Sequence, residues 1–212
     1  MKLECVPNFK VLGLLIDNNL TWKTHADEIC TKVAQLVGML WRIRSYLSTE
    51  MKLLFYNSIV LSKIDYCLHI WGSAPSYCID RIYKLQKQVA RIVLNVERDT
   101  SSHYMFNKLK WLTIYQCIIY QRYLAMYPIF NNSVPKSIGA MFPRKQEKSH
   151  NLRSNKFCSL ELHLSRANST LYEKSFLHSG ARLWHALPDS IKCAQSIETS
   201  KHMCKMYILG NS

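Results

Sequence analysis

The spacing of apolar residues predicts a mainly α-helical chain that begins with one short strand. Residues 9–16 partly alternate in polarity and then become continuously apolar, and Asp17-Asn18-Asn19 supplies a turn signal. One strand cannot form a sheet, and the rest of the chain offers few strand-like segments to pair with it. We therefore expect the chain to begin inside a larger fold.

Apolar residues at three- and four-residue steps predict a long first helix from about Trp22 to Leu47, with Thr21 as its N-cap. Arg42 and Arg44 fall in its last turns, where cations suit the helix dipole. Further helices are predicted over about 49–63, 79–96, 103–109, 111–131, 172–186, 188–193 and 197–209. These elements divide the chain into a strand remnant (1–20), a helical bundle (21–98), a helical extension (99–133), a basic loop-rich linker (134–170) and a helical C-terminal segment (171–212).

The third predicted helix has an apolar side and an almost purely basic side. At about 100° per residue, the apolar side carries Ile79, Ile82, Leu85, Val89, Ile92, Val93 and Val96. The other side carries Arg81, Lys84, Lys87, Arg91 and Arg98, and acidic residues lie only at the ends. A solvated helix face usually mixes both signs of charge. We therefore favour a face that follows nucleic-acid phosphates over one that is merely solvated.

The net charge also indicates a polyanionic partner. The chain carries 28 Lys and Arg against 14 Asp and Glu, which gives +14 with neutral His and a pI near 9.5. Residues 1–100 contribute +4 and residues 101–212 contribute +10. Nucleic acid is the first candidate partner and an anionic membrane surface the second, with a basic protein that has no such partner as the alternative.

The cysteine pattern favours reduced thiols and an intracellular location, in the nucleus or the cytoplasm. The eight cysteines are dispersed without C-x-x-C spacing, and the apolar run at residues 11–16 is too short for a signal peptide. Cys193, His202 and Cys204 are the best metal candidates, but their spacing fits no common zinc motif, so we expect neither a metal nor a cofactor. Residues 111–130 hold Arg122 near their middle, so we interpret them as a buried amphipathic helix and expect no membrane partner.

The sequence offers no catalytic site. It has no Gly-rich phosphate loop, no G-x-S-x-G and no H-E-x-x-H motif. Two-metal polymerases and nucleases need clustered carboxylates. Asp27 and Glu28 point to different helix faces, and Asp65 has no partner carboxylate. We therefore predict no catalytic residue in this chain.

Five short blocks occur in order along nearly the whole chain. They are Phe9–Gly13 with Asp17, Leu20–Trp22 and His25; Tyr56–Ser58 with Asp65–Cys67 and Trp71-Gly72; Leu85–Val93; His150–Ser154; and Ser175-Phe176 with Gly180–Pro188. Together they resemble the C-terminal end of reverse transcriptases from non-LTR (LINE-type, Jockey-like) retrotransposons. The resemblance implies a palm-end strand, a helical thumb and a C-terminal tail.

A thumb of this family implies sequence-independent contact with the backbone of a template–product duplex. Together with the charge pattern, the resemblance predicts that the RNA or DNA backbone is bound by Arg81, Lys84, Lys87, Arg91, Arg98, Arg153 and Arg182. The family's catalytic aspartate pair lies upstream of the first block in a complete enzyme and is missing here. Val11 and His185 also replace the family's Tyr and Asn. We therefore expect a fragment whose Met1 is an accidental start, without polymerase activity alone and with the missing palm as a candidate partner.

Three alternatives stay open at this point. A helical protein–protein adaptor would use exposed aromatics such as Trp22, Trp41 and Tyr46. A helix-turn-helix transcription factor would need a short turn before its recognition helix, and the long loop expected before residue 79 counts against it. The third alternative is an element remnant without a function, since an exposed strand over residues 9–16 risks aggregation.

Overall fold

A computed structural model describes residues 6–144, 162–164 and 166–210. The chain is mostly helical with a two-stranded sheet near its N-terminus, which confirms the mainly α fold. It divides into two compact units, residues 1–118 (unit 1) and residues 119–212 (unit 2). The division into five segments expected from the sequence stays a prediction.

The predicted single strand is a β-hairpin. Strands β1 (Asn8–Val11) and β2 (Leu14–Asp17) pair antiparallel with Val11 opposite Leu14. The two turn residues, Leu12 and Gly13, have φ angles of 47° and 87°, as a type I′ hairpin turn requires. The expectation of an unpaired strand is therefore wrong, because a non-glycine residue at positive φ hid the turn inside an apolar run.

Asp17 links the hairpin to the first helix, α1 (Lys23–Ile43). Its carboxylate accepts the backbone N–H groups of Asn19, Thr21 and Trp22 at 3.2, 3.0 and 2.8 Å, together with the Thr21 hydroxyl at 3.1 Å. Burial alone raises the pKa of Asp17, but these donors outweigh it and hold the pKa below its ordinary value. The predicted N-cap, Thr21, is wrong: Trp22 occupies the cap position, and Asp17 holds the backbone N–H groups of Thr21 and Trp22 that lead into the helix.

The remaining helical elements of the first half follow in quick succession. They are α2 (Thr49–Phe55), a π-helical turn (Tyr56–Leu61), α3 (Ser62–Asp65), α4 (Leu68–Trp71), α5 (Ser76–Leu94), α6 (Ser102–Leu109) and α7 (Ile114–Phe130). Helices α1 and α5 pack against each other through buried residues that include Val33, Leu40, Ile82 and Val89. Gln86 is buried beside them, and its amide nitrogen donates to the Tyr56 hydroxyl at 3.0 Å. This packing fixes α5 as a rigid element of unit 1.

Helix α7 differs from the amphipathic helix that its sequence predicts. Buried side chains lie on several of its sides, and Pro128 is accommodated inside it two residues before its end. Among the described residues, no helix is both long and apolar enough to cross a membrane.

Unit 2 is built around Trp184. Its described helices after α7 are α8 (Lys136–Gly139), α9 (Thr170–Lys174), α10 (Phe176–Ala186), α11 (Asp189–Lys192) and α12 (Ile197–Gly210). The Trp184 ring stacks on Tyr123 with 5.9 Å between centroids and contacts Phe130 at 4.7 Å. The Tyr123 hydroxyl donates to the Ile191 carbonyl at 3.3 Å, which attaches α11 to this core.

His25 makes the stability of unit 1 depend on pH. Its buried ring accepts the Leu15 N–H at Nδ1, at 3.3 Å, which fixes the neutral form. Burial lowers the pKa of His25, and Glu28 opposes that shift only in part. In the unfolded chain the His25 ring takes up a proton near pH 6.5, whereas in the folded chain it takes up the proton only at a lower pH. We therefore expect the contribution of His25 to keep the free energy of unfolding at its full value above about pH 7. The free energy of unfolding should fall as the pH drops below about 6.5.

Urea unfolding between neutral and mildly acidic pH would measure this dependence. The His25→Gln variant should show a flatter profile than the wild-type chain, whereas replacing the exposed His103 by Gln should leave the profile unchanged. Identical profiles for the wild-type chain and His25→Gln would contradict this account.

Candidate nucleic-acid interface

Helix α5 has the two-sided character that its sequence predicts, over a slightly different range. Its buried residues are Cys78, Ile79, Ile82, Gln86, Val89, Ala90, Ile92 and Val93. The helix starts at Ser76 and ends at Leu94, because Asn95 takes a left-handed conformation with φ of 51°. The expected extension to Val96 is therefore wrong, and Arg98 lies in the turn after the helix.

The segment before α5 is short. Residues 72–75 connect α4 to α5, so the expected long loop is wrong. Helix α4 is a single turn whose Leu68 and Trp71 are buried in the core. It is therefore no candidate for the first helix of a helix-turn-helix motif, which crosses the DNA backbone.

A groove runs between α1 and α5. One depression of about 580 Å³ lies between residues 30–42 of α1 and residues 81–85 of α5. A second, of about 840 Å³, lies between residues 34–44 and residues 85–98. The two share Ala34, Gly38 and Leu85. We call the combined feature the α1–α5 groove, and its cationic lining residues are Arg42, Arg44, Arg81, Lys84, Arg91 and Arg98.

The structure brings four of the seven predicted binding residues into this groove. Arg81 forms an ion pair with Asp27 of α1, and this hydrogen bond raises the pKa of Arg81. Lys84 and Arg91 have no carboxylate within ion-pairing distance in the described part of the chain. The Nε atom of Arg91 is buried and has no hydrogen-bond partner among the described residues. These two cations can therefore bind a phosphate without breaking an internal ion pair.

Of the other three predicted residues, the two that the structure describes lie outside the groove. Lys87 is half-buried with its Nζ 4.8 Å from the centroid of the Tyr83 ring, and it does not line the groove. Arg182 is an exposed residue of α10 in unit 2, where its guanidinium lies 3.7 Å from the Glu173 carboxylate. Arg153 lies outside the described residues, as does the His150–Ser154 block.

Sequence reasoning missed the contribution of α1 to the groove. From the sequence alone, the helix dipole accounts for Arg42 and Arg44, and Trp41 is a candidate only for an adaptor contact. The Arg44 guanidinium lies 3.5 Å from the centroid of the Trp41 ring, and 54% of Trp41 is exposed. The available signal is the four-residue spacing of Ala34, Gly38 and Arg42, which places two small residues and a cation on one helix face.

The lining of the groove is strongly cationic. Its six cations are accompanied by one carboxylate, Glu97, among the lining residues. Within the part of the chain that the structure describes, no group of three or more His, Cys, Asp or Glu side chains could hold a metal ion. A concave surface with this balance attracts anions.

Comparison with known proteins agrees with the resemblance to reverse transcriptases. The chain is 35% identical over 112 residues to the probable RNA-directed DNA polymerase from transposon X-element of Drosophila melanogaster. It is 28% identical over 146 residues to the RNA-directed DNA polymerase from mobile element jockey of the same organism. The chain is related to non-LTR retrotransposon reverse transcriptases. These matches cover 50% and 62% of this chain but only 12% and 15% of the relatives. No protein-family model and no solved structure matches the chain significantly.

Two blocks that carry the similarity to reverse transcriptases have structural roles in unit 1. Tyr66 of the second block donates its hydroxyl to the Leu12 carbonyl of the first at 2.5 Å. A Cβ at Gly13 would lie 3.4 Å from the Tyr66 ring, and Gly13 already needs its positive φ. Trp71 donates its indole N–H to the Tyr66 carbonyl at 2.8 Å. These blocks therefore join the hairpin to the helices.

The last reverse-transcriptase block has a structural role in unit 2. A Cβ at Gly180 would lie 2.9 Å from the Phe176 ring and 3.1 Å from the Met126 sulfur, so only glycine fits without a shift. Trp184 is a fully buried core residue of this unit. His185, which replaces the family's Asn, lies with its Nε2 2.9 Å from the Leu162 carbonyl.

Proposed function

We propose that this chain binds RNA or DNA through the phosphate backbone, without sequence preference, as the thumb-like part of a non-LTR reverse transcriptase. One observation carries the proposal: six cations from α1 and its C-cap, from α5 and from the turn after α5 line a single groove beside one carboxylate. Phosphate contact needs cations on a rigid surface and no base-reading geometry. Because α1 and α5 share a buried core, their cations project from a rigid pair of helices.

The polymerising activity named for the two relatives belongs to proteins of which this chain spans a small part. We assign no catalytic step to the chain, and we propose that the rest of such a polymerase, its palm, packs beside the hairpin. The support is apolar exposure, since Phe9 is 63% and Leu12 is 85% exposed.

The described cysteines are free thiols, in keeping with an intracellular location. They are Cys30, Cys67, Cys78, Cys117, Cys193 and Cys204.

Removing three groove cations is expected to weaken binding to an RNA–DNA hybrid. The variant changes Arg42, Lys84 and Arg91 to Gln. Each lost phosphate contact reduces the slope of log affinity against log salt by about 1, so we expect the slope to fall by about 3 and the affinity to fall at least about tenfold at low salt. Fluorescence anisotropy with a labelled hybrid across a salt series would measure both quantities.

The matched control removes three cations outside the groove, by changing Lys52, Lys63 and Lys108 to Gln. This control should keep most of the affinity and the slope of the wild-type chain. A Lys87→Gln variant tests whether this residue also contributes, as the sequence predicts. If the groove variant keeps the wild-type slope, the proposal is wrong.

The adaptor alternative keeps one specific observation in its favour. Trp41 and Tyr46 are 54% and 86% exposed, whereas Trp22 is half-buried. An adaptor would capture a protein partner with little dependence on salt. Hybrid binding that is weak and insensitive to salt, beside such capture, would favour this function over nucleic-acid binding.

A further inference from the structure

We infer that the α1–α5 groove receives an unpaired nucleic-acid strand, with one base stacked on Trp41. This inference rests on the proposed function and deepens it by naming the form of nucleic acid. The cations of the groove alone do not distinguish a duplex from a single strand, since both present phosphates. The distinction comes from the groove's apolar floor and its aromatic residue.

The floor of the groove is apolar. Ala34, Val37, Gly38 and Ile92 line the larger depression, and the position that a Cβ of Gly38 would take has no heavy atom within 4 Å apart from the backbone of its own helix and its chain neighbours. A duplex turns its phosphates outward and keeps its bases stacked inside, so it cannot use such a floor. An unpaired strand exposes flat apolar base faces that can enter a groove and stack on aromatic side chains.

Trp41 is placed to stack a base. It is 54% exposed even though the Arg44 guanidinium covers part of its ring, at 3.5 Å from the centroid. Trp71 and Trp184, by contrast, are fully buried and belong to the cores of their units. Arg44 restricts the indole ring and adds a second planar surface, which reduces the entropy lost when a base binds.

The cations are distributed along the path that such a strand would follow. Lys84 lines the smaller depression, while Arg91 and Arg98 line the larger one. The lining residues of α1 and its C-cap extend from Cys30 to Arg44, which corresponds to about 20 Å along the helix axis. A short segment of single strand can therefore place a base on Trp41 and its neighbouring phosphates near these cations.

Two variants test the inference with a short labelled single-stranded RNA and a blunt RNA–DNA hybrid at one salt concentration. Trp41→Ala removes the stacking surface, and Gly38→Leu fills the groove from a position where the structure has free space. Base–aromatic stacking predicts that Trp41→Ala weakens single-strand binding about fivefold or more. We expect Gly38→Leu to weaken it at least as much, and both variants to bind the hybrid within about twofold of the wild-type chain.

Matched controls are available for both changes. Tyr104→Ala removes an aromatic residue of similar exposure from α6, and Gly139→Leu adds the same side chain at another open glycine. Both should bind the single strand like the wild-type chain. Circular dichroism would verify that each variant is folded. Trp41→Phe, which keeps a smaller stacking surface, should show an intermediate loss even if Trp41→Ala proves poorly folded.

The outcomes separate this inference from the proposed function. If Trp41→Ala and Gly38→Leu bind the single strand normally while the Arg42, Lys84 and Arg91 variant loses affinity, the inference is overturned and the proposed function stands. Equal losses for single strand and hybrid also overturn it, because the groove then does not distinguish the two forms. If the three-cation variant binds both probes like the wild-type chain, both proposals fail.

Discussion

Replacing Trp71 by alanine is expected to lower the free energy of unfolding of unit 1 by about 3–5 kcal/mol, the usual range for truncating a buried aromatic side chain. Trp71 is fully buried, and its ring edge contacts His25 at 5.6 Å between centroids. Its indole N–H donates to the Tyr66 carbonyl at 2.8 Å. The truncation therefore creates a cavity and leaves a polar group without its partner at the junction of hairpin and helices.

Urea unfolding followed by circular dichroism would measure this loss. Trp71→Phe fills most of the cavity but still leaves the Tyr66 carbonyl unpaired, so we expect an intermediate cost of about 1–3 kcal/mol. Trp41→Ala should cost no more than about 0.5 kcal/mol, because Trp41 is largely exposed. Similar losses for Trp71→Ala and Trp41→Ala would contradict these assignments of one tryptophan to the core and the other to the groove.

The helices were largely predictable because their signal is local. A repeat of about 3.6 residues with one buried side identifies α5 directly, and the residues predicted to be apolar there are mostly buried. The hairpin was not predictable in the same way. Its turn depends on Leu12 at positive φ. The start of α1 depends on Asp17, whose carboxylate accepts hydrogen bonds from the N–H groups of Thr21 and Trp22, four and five residues later. Neither feature alters the hydrophobic pattern.

The candidate site was half predictable. The cations of α5 follow from one helical wheel, but Arg42, Arg44 and Trp41 join them only because α1 packs beside α5. A wheel also cannot tell which neighbour each side chain meets. Lys84 and Lys87 share the predicted basic side, yet Lys84 lines the groove while Lys87 lies over Tyr83. Tertiary packing therefore decides which charges of a basic helix form one site.

The family blocks show why similarity to a polymerase does not by itself locate a binding surface. Gly13, Tyr66 and Gly180 take part in close contacts that a larger or different side chain would disturb. In the Leu85–Val93 block, Gln86 is buried against the Tyr56 hydroxyl while Arg91 lines the groove. Buried members of these blocks thus preserve the fold, and the exposed cations between them are the candidates for contact with nucleic acid.

Replacing Trp184 by alanine is expected to destabilise unit 2 by about 3–5 kcal/mol, because a fully buried indole is lost from the centre of a small core. Tyr123 and Phe130 would both lose the ring that they pack against, and Tyr123 also holds α11 through the Ile191 carbonyl. We therefore expect faster amide hydrogen exchange in α10 and α11 together, which mass spectrometry of peptides from these helices would detect.

His185→Asn is the matched control, since it restores the residue that the family's block carries and changes only a half-buried side chain beside the Leu162 carbonyl. Its cost should stay below about 1 kcal/mol. If Trp184→Ala left exchange in both helices unchanged, Trp184 would not be the residue that organises this unit.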